Sequence, residues 1–409
     1  MSSHSTILLL GLSAICFTRQ ANAETATTKS AESKSAESKS AEPKSAEPPK
    51  SAEAKSAEPK SAESKSAEPD RITPEHSFFT HTDGLPPFSV GGVRAELGKD
   101  AWFRFRGFMQ TRYLLNNHTA DGGEGETSNG FNIARARVFA EGRFAPWVSF
   151  LLRAGATSNG TLQVEQAYAD FSHGEFAVRV GQWYLPLFQE QVPSPDVTLT
   201  VNPSAVGGVF DGGQVLGLRA LWTHEHWRLQ ASTIDGLRTA FSEVGSPAKA
   251  DFAFSGRAEL VLGEPDFGRF ATGSSFRGER AAVLLGVAAH YQEGGSLNQV
   301  GARVGIGAAD VTLEGDGFNL HQSIAIADTG MASHPSLGLV GQGGYFLLPW
   351  TELYGRYEVL FSSSSSAGGG LFRGLTGGVN QYIWPARGLR LSVDYVYYFD
   401  GTVGTPIAA

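Results

Sequence analysis

Nine arginines fall at alternating spacing: Arg104, Arg106 and Arg112; Arg135, Arg137 and Arg143; then Arg153, Arg179 and Arg219. A spacing of two puts side chains on one face of a strand. Phe103, Phe105, Met109 and Tyr113 take the opposite face of the first run. A row of guanidiniums beside water forms a shallow electrostatic ladder for anions, with selectivity set by the width and sign of the passage. Such a row moves solute by diffusion and performs no bond chemistry. In the competing reading these arginines pair with Glu141, Glu165, Asp170, Glu352 and Glu358, which stiffens the wall and cancels the ladder.

Other chemistry finds little support. His224-Glu225-His226 offers two ligands in a tight turn, where zinc needs three or four. Asp121-Gly-Gly-Glu-Gly-Glu126 reads as a solvated acidic loop, since a calcium site needs a fixed ligand set. There is no Gly-x-Ser-x-Gly elbow, no phosphate-binding glycine loop and no helical histidine pair. No catalytic residue, metal or cofactor is therefore assigned. A hydrolase would need a Ser/His pair on facing strands near one rim. Cys16 is the single cysteine, inside an apolar run. Cleavage after Ala23 would remove it and leave no disulfide or thiol chemistry.

The elements that position the arginines are legible between Phe131 and Gln191. Phe131, Ile133, Arg135, Arg137, Glu141 and Arg143 share one side of an alternating strand, and Ala134, Ala136, Val138, Ala140 and Phe144 the other. Taken alone, this stretch fits a soluble sandwich or a barrel in lipid. Fifteen such segments are predicted, near 101–116, 130–144, 147–157, 161–172, 175–184, 213–224, 226–236, 252–262, 280–292, 300–314, 317–328, 336–348, 351–362, 371–384 and 388–399. Very short connectors, such as Ala145-Pro146-Trp147 and Pro349-Trp350, alternate with long polar ones at 117–129, 185–212, 237–251 and 362–370. Outer-membrane barrels show this rhythm, with short turns on one rim and long loops on the other. The connector 263–279 breaks it, being long where a turn is due. Trp102, Trp147, Trp183, Trp222, Trp227, Trp350 and Trp384 lie near predicted strand ends, where a membrane-interface girdle would place them. Arginine on a lipid face costs about 2–4 kcal/mol at the midplane, so the arginine faces should line a lumen.

Composition agrees. The chain has 409 residues, 50 glycines and a net charge of -8, which favours strands and turns and argues against nucleic acid. Residues 1–23 read as an export signal, with an apolar core at Ile7–Phe17 and Ala21-Asn22-Ala23 before the cleavage point. Residues 24–87 form a low-complexity linker built on repeated Ser-Ala-Glu-Ser/Pro/Ala-Lys; with nothing apolar to bury, it is expected to be disordered. Residues 88–409 form the barrel domain. In the last strand Leu389, Leu391, Val393, Tyr395, Tyr397 and Phe399 oppose Arg390, Ser392, Asp394 and Tyr398.

Four runs carry a resemblance: Arg-Ala-Arg-Val-Phe-Ala-Glu-Gly at 135–142, Gln-Ala-Tyr-Ala-Asp-Phe at 166–171, Gly-Gln-Trp-Tyr-Leu-Pro-Leu-Phe-Gln-Glu at 181–190, and Gly-Tyr-Phe-Leu-Leu-Pro at 344–349 with Glu352, Leu353, Tyr354 and Arg356. In order and spacing the region 101–399 resembles the phosphate-selective porin O/P family. The resemblance implies a sixteen-stranded barrel, usually a homotrimer, whose third loop folds into the lumen; here that loop is 185–212. It also implies phosphate selectivity from a lysine-rich region and an arginine ladder. This chain departs there: the loop has no Lys or Arg and carries Glu190, Asp196 and Asp211 as constriction candidates.

The expectation is an all-β antiparallel transmembrane barrel of about sixteen strands behind a disordered arm. Its sixteenth strand would follow Phe399 or come from Ser89–Leu97. The expected function is passive diffusion of small hydrophilic solutes, anions such as phosphate among them, across a Gram-negative outer membrane. Lipid surrounds the barrel, and the arm in the periplasm offers a contact to peptidoglycan. The alternatives are a non-conducting barrel serving as adhesin or cell-wall-linked protein, and, further off, an outer-membrane hydrolase.

Overall fold

An amphipathic strand in lipid must pair on both edges, because hydrocarbon cannot solvate open backbone groups. The computed structural model satisfies that rule with one closed antiparallel sheet. It describes residues 4–14 (backbone only), 92–119, 125–156, 160–191, 197–240, 242, 244, 246, 248–295, 303–330, 334–362, 370–383 and 389–399. The linker at 24–87, the cleavage point, most of the acidic loop at 121–126, Asp196 and Trp384 lie outside them.

All fifteen predicted segments are strands. They follow β1 (His4–Ala14) and β2 (Val93–Glu96) and run from β3 (Trp102–Thr119) and β4 (Gly125–Ala145) to β17 (Leu389–Tyr398). From β3 onward each strand pairs antiparallel with the next, and β1 joins the two ends, pairing with both β17 and β3. The ring therefore has sixteen members, β1 and β3–β17. The closing strand is thus neither of those expected. It is the segment read as the core of an export signal, while Ser89–Leu97 contributes only Val93–Glu96, paired with Phe105–Trp102 at the start of β3.

The two faces settle barrel against sandwich. Phe105, Met109, Val138, Val180, Leu218, Val287, Ile324, Leu375 and Tyr395 are exposed on the outside. Arg106, Glu141, Arg153, Asp170, Arg179, Arg257, Glu259, Arg390 and Asp394 are buried on the inside. Apolar out and polar in is the arrangement lipid requires.

Two expectations are corrected. The strand at 131–143 does not keep one parity, because a β-bulge at Ala134 shifts the register between Gln110↔Arg135 and Thr111↔Ile133. One extra residue flips every side chain beyond it. Phe131 and Ile133 consequently face out, 86% and 53% exposed, while Arg135 to Arg143 keep the inner face. The tryptophans are also divided. Trp147 and Trp227 are exposed near the rim of short turns, but Trp102 and Trp183 are buried, 7% and 0% exposed. Both point inward, where Arg104 and Arg219 lie over their rings.

Candidate functional site

The lumen is built from side chains of the inner face and two segments that enter it. Along β3 to β8 (Gln214–Thr223) the wall pairs its charges. Arg104 and Arg106 reach Glu141 at 2.7 and 3.4 Å. Arg137 and Arg153 share Glu165 at 2.7 and 2.8 Å. Arg179 donates two hydrogen bonds of 2.7 Å to Asp170, and its guanidinium stacks 3.4 Å from the centre of the Tyr168 ring. On β10 (Ala250–Gly263), Arg257 joins Glu259 and Asp310 at 3.0 and 2.8 Å. Arg143 lies at the short-turn end of β4, opposite Ser149. Arg219 faces Arg179 across the strand pair and donates to Gln230 at 3.2 Å.

The first entering segment joins β7 (Phe176–Tyr184) to β8, on the rim of long loops. Leu185, Leu187 and Phe188 turn it into the lumen, where they pack with Val206, Val209 and Phe210 of the short helix α1 (Ala205–Phe210). Ser204 caps that helix by accepting from the Gly207 N–H at 2.7 Å, which satisfies one of its open donors. Glu190 accepts in turn from the Ser204 N–H and hydroxyl at 2.6 and 2.5 Å. Glu358 of β15 (Thr351–Phe361) accepts from the Val206 N–H at 3.0 Å. The helix lies so close to β14 (Ser336–Leu348) that a Cβ on Gly338 would stand 2.4 Å from Phe210 and 2.5 Å from Val206. Six strands lie between β8 and β15 in a ring of sixteen, so the loop reaches the far wall.

There it is held by its main chain. Arg390 donates to the Thr198 carbonyl at 2.5 Å, Asn380 to Leu199 at 2.8 Å, Arg135 to Val201 at 3.2 Å and Arg356 to Asn202 at 2.9 Å. Arg112 donates to the Asn202 side chain at 3.1 Å, and the Val201 N–H donates to Asp394 at 3.1 Å. Five strands thus grip residues 198–202. Of the three acidic constriction candidates, Glu190 is buried against Ser204 and Arg356. Asp211 follows α1 and accepts from the Gly213 N–H at 2.9 Å. Desolvation in the folded loop pushes the Asp211 carboxyl above the usual carboxylate range, against the opposing pull of that N–H and of Arg238.

The second segment is the connector that broke the rhythm, between β10 and β11 (Ala282–Gly294). It belongs to the rim of short turns, yet it folds inward. Ser274 donates to Glu352 at 2.8 Å, and Tyr382 and Asn380 donate to the same carboxylate at 3.0 and 3.1 Å. The two segments touch: the Gly273 N–H donates to Val197 at 2.8 Å, and Gln189 donates to Phe270 at 2.8 Å. A Cβ at Gly273 would come within 2.4 Å of the Leu199 nitrogen, so only glycine allows this approach.

Sequence reasoning missed Gln110, Glu352, Arg356, Asn380, Arg390 and Asp394 as grip residues. The polar face of the last strand was the available sign for the final two. A Ser/His contact is also present: Ser255 lies 2.7 Å from His290, whose other nitrogen meets Gln292 at 3.1 Å. Ser255 and His290 are 9% and 3% exposed, and an amide stands where a triad has its carboxylate. Gln292 is further engaged by the Leu237 N–H at 2.9 Å, so this chain of bonds fastens the loop between β9 (Trp227–Ile234) and β10 to the wall. At the His224–His226 turn, where two ligands are too few for zinc, His224 meets Glu175 at 2.5 Å and His226 meets the Val261 carbonyl at 3.0 Å.

No protein-family model matches the chain, and no curated protein matches its sequence. Solved structures do. The OmpF of Salmonella typhi, in complex with daunomycin, is similar with a TM-score of 0.52 at 10% identity, over 75% of this chain and 100% of that one. The outer membrane channel DcaP of Acinetobacter baumannii gives 0.48 at 12% identity, over 76% and 100%. An anion-selective porin from Comamonas acidovorans gives 0.48 at 9% identity, over 74% and 100%. The first likeness shows the fold: the chain is a porin-type β-barrel.

Proposed function

We propose that this chain is a diffusion channel of the Gram-negative outer membrane, passing small hydrophilic solutes with a preference for anions. The observation that carries the reading is the loop 185–212, which crosses a polar-lined ring and rests on the far wall. A segment placed there sets the width of the passage, and the arginines beside it set its sign. The same reading keeps residues 4–14 in the ring as β1, and takes 24–87 as a periplasmic arm that meets peptidoglycan and the functional unit as a homotrimer in lipid. Phosphate, the solute implied by resemblance to the O/P porins, is the first to try.

The test is conductance of the purified full chain in a planar bilayer. Stepwise currents are expected. Well-folded protein that gives no steps would overturn the reading. In a KCl gradient the reversal potential should report anion preference; cation preference would sink the anion half.

One observation favours a second reading, a non-conducting barrel that serves as an adhesin or wall-linked protein. Two segments enter from opposite rims and bond to each other inside the lumen. The same bilayer experiment separates the two readings.

A further inference from the structure

The arginines of the inner face divide by what neutralises them. Arg104, Arg106, Arg137, Arg153, Arg179 and Arg257 have carboxylates. Arg112, Arg135 and Arg390 form no ion pair among the described residues. Their acceptors are neutral oxygens: Asn132 and Asn202 for Arg112, Gln110 and Val201 for Arg135, Thr198 for Arg390. Arg390 is 4% exposed, and its Nε and Nη2 have no hydrogen-bond acceptor.

A guanidinium presents five donors in a planar fork. It binds carboxylate or phosphate oxygens in pairs and much more strongly than neutral ones. Three such forks in a row, two of them facing main-chain carbonyls of one five-residue strip and the third its Asn202 amide, are under-satisfied for their chemistry. The strip's Val201 N–H donates to the Asp394 carboxylate at 3.1 Å. Arg356 also touches the strip, but Glu190 and Glu358 stand 3.6 and 3.7 Å from it, so it serves as a neutralised anchor.

We propose that Arg112, Arg135 and Arg390 form an oxyanion-binding row covered by residues 198–202, whose carbonyl and amide oxygens stand in for the anion. A small oxyanion in the lumen competes for the three forks and lifts the strip from the wall. The constriction is then opened by the solutes it passes. The proposal rests on the channel reading, since the anion must enter the lumen.

Thr200 is 2% exposed at the centre of the strip, so a thiol there reports the lifting. The experiment uses the full chain with Cys16→Ser and Thr200→Cys, in detergent, and follows the rate of alkylation. Sodium sulfate is compared with sodium chloride at equal ionic strength. Sulfate should speed alkylation severalfold. With Arg135→Gln and Arg390→Gln added, alkylation should be fast in both salts and insensitive to sulfate. Where that variant fails to fold by circular dichroism, Arg390→Lys keeps the charge without the fork and should blunt the sulfate effect. Alkylation that sulfate leaves unchanged or slows would overturn the proposal. The readout needs no current: sulfate-dependent alkylation without conductance would refute the channel reading alone, and conductance with sulfate-independent alkylation would refute the row alone.

Discussion

The carboxylate-paired arginines between β3 and β8 and the arginines that touch residues 198–202, on β3, β4 and β17, use the same residue for different ends. The difference lies one strand away. Arg104 stands opposite Glu141, and Arg179 opposite Asp170. Arg112 stands opposite Asn132, and Arg135 opposite Gln110. A carboxylate across the ladder closes the guanidinium's account with its neighbour and stiffens the sheet. An amide leaves charge to spare, and an entering loop takes it up. For these four the residue across the ladder separates wall from gate, while Arg106, Arg137 and Arg153 reach carboxylates that do not stand directly opposite them.

The largest expected effect breaks the first set. Asp170→Asn leaves Arg179 buried beside Arg219 without a counter-charge, and removing one partner of a buried pair costs about 3–5 kcal/mol. Unfolding in denaturant, followed by circular dichroism, should show a loss of that order. A loss well under 1 kcal/mol would mean that water reaches the pair and that the wall is not stiffened there.

The second set should answer differently. Gly338→Ala places a methyl 2.4 Å from Phe210. Overpacking of this kind costs about 1–3 kcal/mol, and here the loop can escape by leaving the wall. Conductance should rise while the unfolding midpoint of the barrel stays near that of the parent. Arg135→Gln removes one charged hydrogen bond to the strip, worth about 1.5–3 kcal/mol before the freed carbonyl finds other donors. Gln110 already donates to the same oxygen at 3.4 Å, so the net effect on loop seating should be the smaller of the two. A fall in barrel stability equal to that of Asp170→Asn would erase the distinction between the sets.

Much of this was legible in the residues. Alternation gave all fifteen long strands, because a face toward lipid tolerates no run of charged residues. The break at 263–279 marked the second entering segment, although its inward path depends on Ser274 and Gly273 meeting residues far along the chain. The bulge at Ala134 was not legible: the alternation of Phe131, Ile133 and Arg135 is perfect, and only pairing with β3 reveals the extra residue. The division of the arginines was hidden for the same reason. Whether Arg135 meets a carboxylate or an amide is a fact about register, and register is fixed by the whole ring. The grip on 198–202 uses backbone carbonyls, which every residue has, so no residue type announces it.

The smallest effect concerns the acidic end of the loop. Asp211 holds its proton more tightly in the seated loop than in water, because desolvation there outweighs the help of the Gly213 N–H and Arg238. A folded-state value raised above the free one favours the seated form at low pH. That advantage is complete below the ordinary value of 3.8 and is lost as pH rises through the raised value. Seating should therefore loosen with rising pH in the parent, read as faster alkylation of the Thr200→Cys reporter after correction for thiolate content. Asp211→Asn has no proton to lose and should flatten that slope. An unchanged slope would place the loop's pH response elsewhere than at Asp211.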